Sequence, residues 1–392
     1  MNSVPALSSM EITIRQTRSL DQVDKAEWER LDCNGNPFLR YDFLNGLERF
    51  GCLEGHGWEP CHLLVSSADK LLGAMPLYIR DNSHGEFVFD WAWADAFERA
   101  GGRYYPKLVS AIPFTPVCGP RMLIDRSAGR DRDIKSLIIR TVAELAERSR
   151  LSSFHCLFTE EDDLGILTDN GLLLRRTCQF HWHNRNYGDF DDFLQGMTSK
   201  RRKQIRRERR TVREENLEIA RLRGADITEE HWDVFYGFYC STFHRRWGSP
   251  RLTLDFFHHL STAMPDNTLL ILAKQGNEHI AGAFAMLSDT TLYGRHWGCN
   301  RYLANLHFEL CYYQTIQYCI ENRLASVDAG VQGEHKLYRG FEPFLAVSGH
   351  WIHHPGFRNA VDDYLEQETA QMESYVRSLK THLPFKGLVP SP

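Results

Sequence analysis

Titratable and aromatic side chains are concentrated in two stretches of the C-terminal half of the chain. The first, LYGRHWGCN at residues 292–300, carries an alternating strand pattern into a loop, and the second, DAGVQGEHKLYRGFEP, follows another strand pattern from residue 328. The loops beyond strand ends are where α/β folds hold ligand groups. We therefore expect one cleft to collect the polar side chains of both stretches and of the segment between them. The candidates are Arg295, His296, Trp297, Asn300, His307, Glu309, Gln332, Glu334, His335 and Lys336.

These residue types suit the removal of a proton from an attacking amine, which requires a base with a pKa near neutrality. His335 lies in a glycine-containing loop that can turn sharply, and it is the first candidate. Glu309 is the second candidate. It is expected at the start of a helix, where the positive end of the helix dipole alone could explain the presence of a carboxylate. His296 and His307 are the remaining catalytic candidates, and we expect the other members of the cluster to bind substrate. The alternative is that GVQGEHK is only a hydrogen-bonded loop that holds the helix to the last strands.

A similar stretch occurs in the first half, where the alternating pattern EFVFDWAWAD predicts a strand leading into Asp90, Trp91, Trp93 and Asp95. Tyr104 and Tyr105 follow shortly afterwards. We expect these six residues to bind substrate, with Trp91 and Trp93 as the counterparts of the stretch at residues 292–300.

A strongly basic segment lies between the halves. Residues 200–213 contain nine basic side chains and one acidic, a net charge of +8 in fourteen positions, with no proline or glycine. This composition predicts a helix largely open to solvent. Stacked cations neutralise phosphates without reading sequence, although a merely solvated arm is the alternative. The residues expected to bind donor phosphates are Lys200, Arg201, Arg202, Lys203, Arg206 and Arg209.

The overall composition excludes several classes of protein. With 42% hydrophobic and 25% charged residues and a net charge of −5, the chain is typical of a globular protein without a general bias toward nucleic acid. No apolar stretch is long enough to span a membrane and no secretory signal is present, so we expect a cytoplasmic location. The ten cysteines show no C-x-x-C pair, and H-E-x-x-H is absent, so no metal is expected. Without a G-x-S-x-G elbow, direct transfer between two bound substrates is the simplest scheme.

The order of predicted elements occurs twice. In each half, strands joined by short turns precede a further strand, a helix and a last strand, and Gly73-Ala74 and Gly282-Ala283 occupy matching points of the second strand. This pattern indicates an internal duplication of one α/β unit. We expect an N-terminal half at 1–190, a basic helical arm at 191–225 and a C-terminal half at 226–392.

Several long motifs carry a resemblance to a known family. Together these motifs, which are spread over nearly the whole chain, resemble the FemAB-like, peptidoglycan biosynthesis/recognition family of predicted N-acyltransferases; they are NPFLRYDFL, GEFVFDWAWADAF, YYPKL, PFTPVCGPRML, SKRRKQIRRERR, GRHWGC, LHFELCYYQ and GVQGEHKLYRGFEP. The resemblance implies an α/β (α+β) chain with a duplicated GNAT-like fold, two mixed-sheet halves and a basic helical arm. It also implies transfer of an acyl or aminoacyl group to a small-molecule or peptidyl amine.

Donor and cofactor remain open at this point. The Gly-rich R/Q-x-x-G-x-G/A loop of acetyl-CoA-using GNAT enzymes is not matched by GCNRYLANLHFE or by WADAFERAGGRYYPKL. Aminoacyl-tRNA, a longer acyl-CoA and an acyl carrier protein are therefore the donors left. Two other functions also stay open: a non-catalytic module that binds peptidoglycan or peptide, and an RNA-binding protein led by residues 200–213.

Overall fold

The chain folds into two compact units, as described by a computed structural model. Unit 1 consists of the chain up to Thr177 together with Ala346–Met372, and unit 2 of Cys178–Leu345 together with the chain from Glu373. The structure describes residues 11–68, 70–244, 248–331 and 333–386.

Unit 1 combines two sheets with flanking helices. Its strands are β1 (Ile12–Thr17), β2 (Trp58–Pro60), β3 (His62–Ser67), β4 (Lys70–Met75), β5 (Tyr78–Arg80), β6 (Lys107–Ser110), β7 (Leu123–Ile124) and β8 (Ser153–Thr159). Its helices are α1 (Lys25–Glu29), α2 (Tyr41–Arg49), α3 (Trp91–Arg99), α4 (Asp131–Arg148) and α5 (Leu164–Asp169).

The later part of the described chain continues with further strands and helices. The strands are β9 (Leu173–His183), β10 (Glu218–Arg223), β11 (Thr268–Gln275), β12 (Glu278–Leu287), β13 (Thr291–Cys299), β14 (Ser326–Asp328) and β15 (Glu342–Ile352). The helices are α6 (Phe190–Gln195), α7 (Ser199–Glu214), α8 (Glu229–His244), α9 (Leu254–Ala263), α10 (Leu306–Phe308), α11 (Gln314–Glu321) and α12 (Pro355–Lys380).

The sheets of both units are mixed. In unit 1, β1, β3, β4 and β7 form an antiparallel sheet in the order β1-β3-β4-β7, while β6 and β8 pair parallel. In unit 2 the order is β10-β11-β12-β13-β14-β9, antiparallel except for the parallel pair of β13 and β14. Each unit thus has antiparallel strands followed by one parallel pair. In unit 2 the strand before the helix is the predicted one, β13, but in unit 1 it is β6, which the sequence did not predict.

The matching glycines lie where a helix packs closely on the second strand. A Cβ at Gly73 would be 3.0 Å from the side chain of Ile134 on α4, and a Cβ at Gly282 would be 3.0 Å from the side chain of Phe235 on α8. Both contacts are tighter than side chains normally make, so each glycine permits the helix to approach the sheet.

The domain boundaries expected from the sequence, at 190 and 225, differ from the observed division. Residues Val347–Ile352 of β15 pair antiparallel with β8, which returns this late segment to unit 1. The basic helix α7 does not stand apart, because Ile205 and Val212 belong to the hydrophobic core of unit 2. Its apolar face has only these two residues, and the ion pairs of Glu208 and Arg209 also attach it to the unit.

The strand predicted for residues 86–93 is wrong. The chain up to Asp90 is irregular and α3 begins at Trp91. Phe87 has a φ of 64°, in the left-handed region, which interrupts any strand at the centre of the alternating pattern. Trp91 and Trp93 therefore lie on a helix and are not counterparts of the residues on β13.

A buried ion-pair network fixes this irregular segment. The ammonium group of Lys107, fully buried, donates to Asp90 at 2.5 Å, to Glu86 at 2.8 Å and to Ser83 at 2.8 Å, and the Tyr104 hydroxyl donates to Asp90 at 2.6 Å. Burial alone would raise the pKa of Asp90, but the charge of Lys107 lowers it below its ordinary value. The network satisfies charges that would otherwise be costly in the interior.

We predict that Lys107→Met lowers the free energy of unfolding by about 3–5 kcal/mol, because it leaves Asp90 buried without its cation. Urea denaturation measures the loss. Lys70→Met is the matched control: Lys70 is half exposed beside Asp125, and its removal should cost less than about 1 kcal/mol. Equal effects of the two substitutions would contradict a structural role for the network.

Candidate active site

A cavity lies at the end of the parallel pair β13 and β14 in unit 2. Pairing of β13 with β14 ends at Tyr293 and Asp328, and the residues that follow on each strand line a cavity of ≈ 290 Å³. We call it the histidine cavity, after the three histidines in its wall. Its lining includes Arg295, His296, Trp297, His307, Cys311, Tyr312, Thr315, Ala329, His335 and Lys336.

A β-bulge directs Arg295 toward this cavity. On β13, His296 lies opposite Phe284 and Gly294 lies opposite Ala285, so that Arg295 is the extra residue between them. Bulges of this kind re-aim a side chain and are frequent beside functional sites. Burial lowers the pKa of Arg295 to about 10, against the opposing influence of Asp328. The guanidinium therefore remains charged at neutral pH.

A π-helical turn supplies the opposite wall. Residues Glu309–Tyr313 form this turn between α10 and α11. The turn adds one residue to the helix, and such insertions often mark functional sites. Cys311 and Tyr312 line the histidine cavity, whereas the Tyr313 hydroxyl donates to Glu208 on α7.

His335 is oriented by a tyrosine from this turn. It lies in a 3-10 helix, Glu334–Arg339, and its Nε2 is 2.9 Å from the Tyr312 hydroxyl. The ring of His307 lies 6.3 Å from that of His335. Although the His335 side chain is exposed, partial desolvation of its ring lowers its pKa, and the charges of Arg339 and Lys336 act in the same direction. An exposed imidazole held by one hydrogen bond can accept a proton from a bound amine.

The other two histidines of the cavity wall, His296 and His307, are more strongly desolvated. Burial lowers the pKa of His296 to about 3 and that of His307 to about 4. Both rings are consequently neutral at pH 7 and much weaker bases than His335 would be. His296 is held between aromatic rings, with Tyr239 at 4.9 Å between centroids.

Lys336 is the second cation of the histidine cavity. It is buried, and its ammonium group donates to the carbonyl oxygens of Ala329 at 2.5 Å and Gly330 at 3.3 Å. Burial lowers its pKa to about 8, with Asp328 acting in the opposite direction.

Three described residues of the predicted cluster are not in the cavity wall. Glu309 is buried, and its carboxylate accepts hydrogen bonds from Arg209 at 2.9 Å and from Gln314 at 2.8 Å. Its side chain therefore does not line the cavity. Asn300 is exposed and donates to Glu278, while Glu334 accepts from Tyr375. Gln332 lies outside the described residues. Sequence reasoning missed Tyr312 and Cys311, whose positions depend on the π-helical turn.

The basic helix α7 lines a separate, larger groove of ≈ 1140 Å³ in unit 2. We call it the basic groove; its lining includes Lys200, Lys203, Arg206, Arg207, Arg210 and Arg213, all exposed, together with Asp189 and Asp191. Three of the six predicted phosphate-binding residues are among them. Arg201 and Arg202 are half-buried and outside the lining, and the guanidinium of Arg201 stacks 3.8 Å above the ring of Tyr338. Arg209 forms part of the groove wall but is buried, in contrast to the helix largely open to solvent that the composition predicts.

Two buried ion pairs connect α7 to the elements that line the histidine cavity. Arg209 pairs with Glu309 of the π-helical turn at 2.9 Å, and Glu208 pairs with Arg339 at 2.9 Å. Arg339 also donates to the main-chain oxygen of His335 at 2.8 Å. The same helix therefore lines the basic groove on one face and supports the candidate base on the other.

The six residues predicted to bind substrate in the first half are dispersed. Asp90 and Tyr104 belong to the buried network around Lys107, and the Tyr105 hydroxyl lies 2.9 Å from Ser83. Trp93 is buried, while Trp91 is 49% exposed and stacks on Phe89. Asp95 is exposed beside Arg99 on α3. The polar atoms of Asp90 are fully engaged within the network, which gives it a structural role there.

Two general features concern the described ranges as a whole. Within them, no group of three or more histidine, cysteine or acidic side chains could hold a metal ion. In the same ranges, no helix combines the length and apolar character that crossing a membrane requires.

The chain belongs to the FemAB-like family, described as peptidoglycan biosynthesis/recognition, whose model matches residues 19–387. The match spans both units and includes the histidine cavity and the basic groove. Family membership supports an acyltransferase-type role. A search of the curated proteins found no match.

Solved structures agree with this assignment at the level of the fold. FemX is similar over 89% of this chain and 100% of its own, with 11% identity and a TM-score of 0.52. L-PGS from Bacillus licheniformis is similar over 90% of this chain and 96% of its own, with 10% identity and a TM-score of 0.50. The chain has the duplicated GNAT-like fold that the sequence predicts.

The lowered pKa of Lys336 predicts a pH dependence of stability. The folded state holds this proton less tightly than the unfolded state, where a lysine has a pKa of about 10.4. The unfolded state therefore binds more protons between about pH 8 and 10, and Lys336 contributes a rise in stability with pH of up to about 1.4 kcal/mol per pH unit there.

Lys336→Met should remove that contribution. The measurement is the free energy of unfolding in urea at several pH values from 7 to 10, for both proteins, since all other titrations are shared. The exposed Lys380→Met is the control. Parallel curves for wild type and Lys336→Met would show that this lysine is not perturbed.

Proposed function

We propose that the chain transfers an aminoacyl group from a tRNA-linked ester to the amine of an acceptor, in one direct step. The histidine cavity would receive the reacting groups and the basic groove the phosphates of the donor. The observation that carries the proposal is the double connection of α7, which lines the groove and also supports the elements that hold His335 and Tyr312.

The size of the basic groove favours a long polyanion. A helix of 16 residues extends over about 24 Å, and six exposed cations on α7 line the groove along it. Coenzyme A offers a diphosphate and one further phosphate, which could engage only part of such a surface. An RNA backbone presents phosphates continuously, and side-chain cations bind them without sequence preference.

The histidine cavity supplies a base for the chemical step. The acceptor nitrogen would bond to the acyl carbon while the bond from that carbon to the ribose oxygen breaks. The amine would lose its proton to His335, and the protonated His335 would pass a proton to the released ribose oxygen. Tyr312 would fix the ring of His335 during this exchange through the hydrogen bond to Nε2.

A triple substitution in the basic groove tests the donor. Lys203→Gln, Arg207→Gln and Arg210→Gln together should weaken binding of tRNA and make its dependence on salt less steep. Each lost phosphate contact reduces the slope of log K against log salt by about 0.7–0.9, so a change of about 2–3 is expected. Arg209 is left intact because it is buried.

The matched control replaces three exposed arginines on α4, at positions 132, 140 and 148, with glutamine, which makes the same change in net charge in unit 1. Fluorescence anisotropy with uncharged tRNA, at several salt concentrations, measures both triples. If the two lose affinity equally, only net charge matters and the groove is not the site. Tighter binding of CoA than of tRNA would favour the acyl-CoA alternative.

Substitution of the candidate base tests the chemistry. His335→Ala should lower turnover by about a hundredfold to ten-thousandfold, the usual contribution of a positioned base. The melting temperature should change by no more than a few degrees, because the side chain is exposed and has one hydrogen bond.

His353→Ala is the control for this experiment, since His353 is an exposed histidine of unit 1. Turnover is measured by release of amino acid from charged tRNA in the presence of an amine acceptor. A His335→Ala protein with normal turnover would rule out this residue as the base. Absence of transfer in the wild type with every donor would favour a non-catalytic binding module.

A further inference from the structure

The ring of His307 lines the histidine cavity without a hydrogen-bond partner. Its side chain is half-buried, and it meets the rings of Trp297 at 5.2 Å and Tyr312 at 5.4 Å between centroids, both edge to face. Among the described residues, none forms a hydrogen bond with either of its nitrogens. Polar groups removed from water normally have such a partner. A group bound in the cavity is therefore in a position to supply it.

The surroundings of His307 keep its ring neutral. Burial lowers the pKa of His307 to about 4, and neighbouring groups of the 3-10 helix act in the same direction. The titratable groups that face it come from that helix, the π-helical turn and β13; they are His335, Lys336, Arg339, Cys311, Tyr312 and Arg295. At neutral pH one nitrogen of the ring therefore carries a proton and the other does not. The ring can donate one N–H and carries no charge of its own.

Other donors of the wall are already engaged or are farther from the candidate base. The Lys336 ammonium donates to two carbonyl oxygens of the preceding loop, and the Thr315 hydroxyl donates to two carbonyl oxygens of the π-helical turn at 2.9 Å each. The ring of His296 packs between Tyr239 and Phe284. The ring of His307, in contrast, lies 6.3 Å from that of His335. His307 is therefore a neutral donor beside the base.

We infer that His307 is a second catalytic residue, whose ring N–H donates a hydrogen bond to the acyl oxygen during transfer. The inference rests on the proposed function and adds to it the group that stabilises negative charge. As the acceptor nitrogen bonds to the acyl carbon, the π electrons of the carbonyl move onto its oxygen, which accepts from His307. They return when the bond to the ribose oxygen breaks. His307 keeps its proton throughout, because the proton of the amine passes through His335 to that ribose oxygen.

The different environments of the two histidines suit these two tasks. A neutral imidazole held away from water can polarise a carbonyl without giving up its proton, and its hydrogen bond is stronger there than in water. The ring of His307 has that environment, whereas the His335 side chain is exposed and can exchange a proton. One cavity thus holds a donor that keeps its proton and a base that accepts one.

Two substitutions distinguish a donor from a base. His307→Leu, which removes the donor, should lower turnover by about a hundredfold to a thousandfold, and His307→Gln, which retains an N–H, should recover about tenfold of that loss. Turnover is again the release of amino acid from charged tRNA with an amine acceptor. Since glutamine cannot act as a base, equal losses in both variants would overturn the inference, and so would normal turnover in His307→Leu. His382→Leu, at an exposed histidine of unit 2, is the control.

NMR of the wild-type chain, labelled with ¹⁵N in its histidine rings, tests the inference without requiring transfer or a folded variant. The ring of His307 should keep one protonated and one unprotonated nitrogen from about pH 6 to about 8. N-methylacetamide, which offers a carbonyl oxygen, should shift its N–H signal and leave that of the exposed His353 unchanged. A ring that becomes doubly protonated in this range, or a signal that the probe does not move, would overturn the inference.

The two experiments together separate this inference from the proposed function. If the wild type transfers no group from any donor, while His307 stays neutral and responds to N-methylacetamide, the proposed function fails and a hydrogen-bond donor for a bound carbonyl remains. If transfer occurs but His307→Leu and His307→Gln are equally active, the proposed function stands and His307 does not have this task.

Discussion

Two adjacent side chains with opposite charges, Glu208 and Arg209, hold the most basic element of the chain in place. A helix with this density of cations repels itself and has little apolar surface with which to bind the rest of the protein. Glu208 is its one acidic residue between Lys200 and Arg213, and it is buried against Arg339. Breaking either buried pair would leave an uncompensated charge in the interior, so the attachment has little tolerance for change.

The attachment also has an electrostatic effect on the histidine cavity. Burial lowers the pKa of His335 and of His307, and the charge of Arg339, which is paired with Glu208, acts in the same direction on both rings. The result is a wall in which the imidazoles are neutral at neutral pH while Arg295 and Lys336 carry the positive charge.

Much of this arrangement could be predicted from the sequence. The alternating strands β11 to β13, the helical character of α7 and the repeated order of elements follow from local periodicity, and His296, His307, His335 and Lys336 were correctly expected to converge. The pairing of Arg209 with Glu309 could not be foreseen, because the two residues are 100 positions apart and nothing local specifies it. The π-helical turn could not be predicted either, because its sequence ELCYY is equally compatible with an ordinary α-helix. The failure at residues 86–93 has a third cause: tertiary interactions around Lys107 overrode an alternating pattern.

The interleaving of the two units has a consequence for synthesis of the protein. Strand β8 is complete at Thr159, but the residues of β15 that pair with it, Val347–Ile352, leave the ribosome only after nearly all of unit 2. Until then one edge of β8 has unpaired amide and carbonyl groups, and its side chains, buried in the finished protein, lack their cover. Such an edge is a template for wrong strand pairing. We therefore expect nascent chains of this architecture to need protection of that edge until β15 has been synthesised, more than their final stability would indicate.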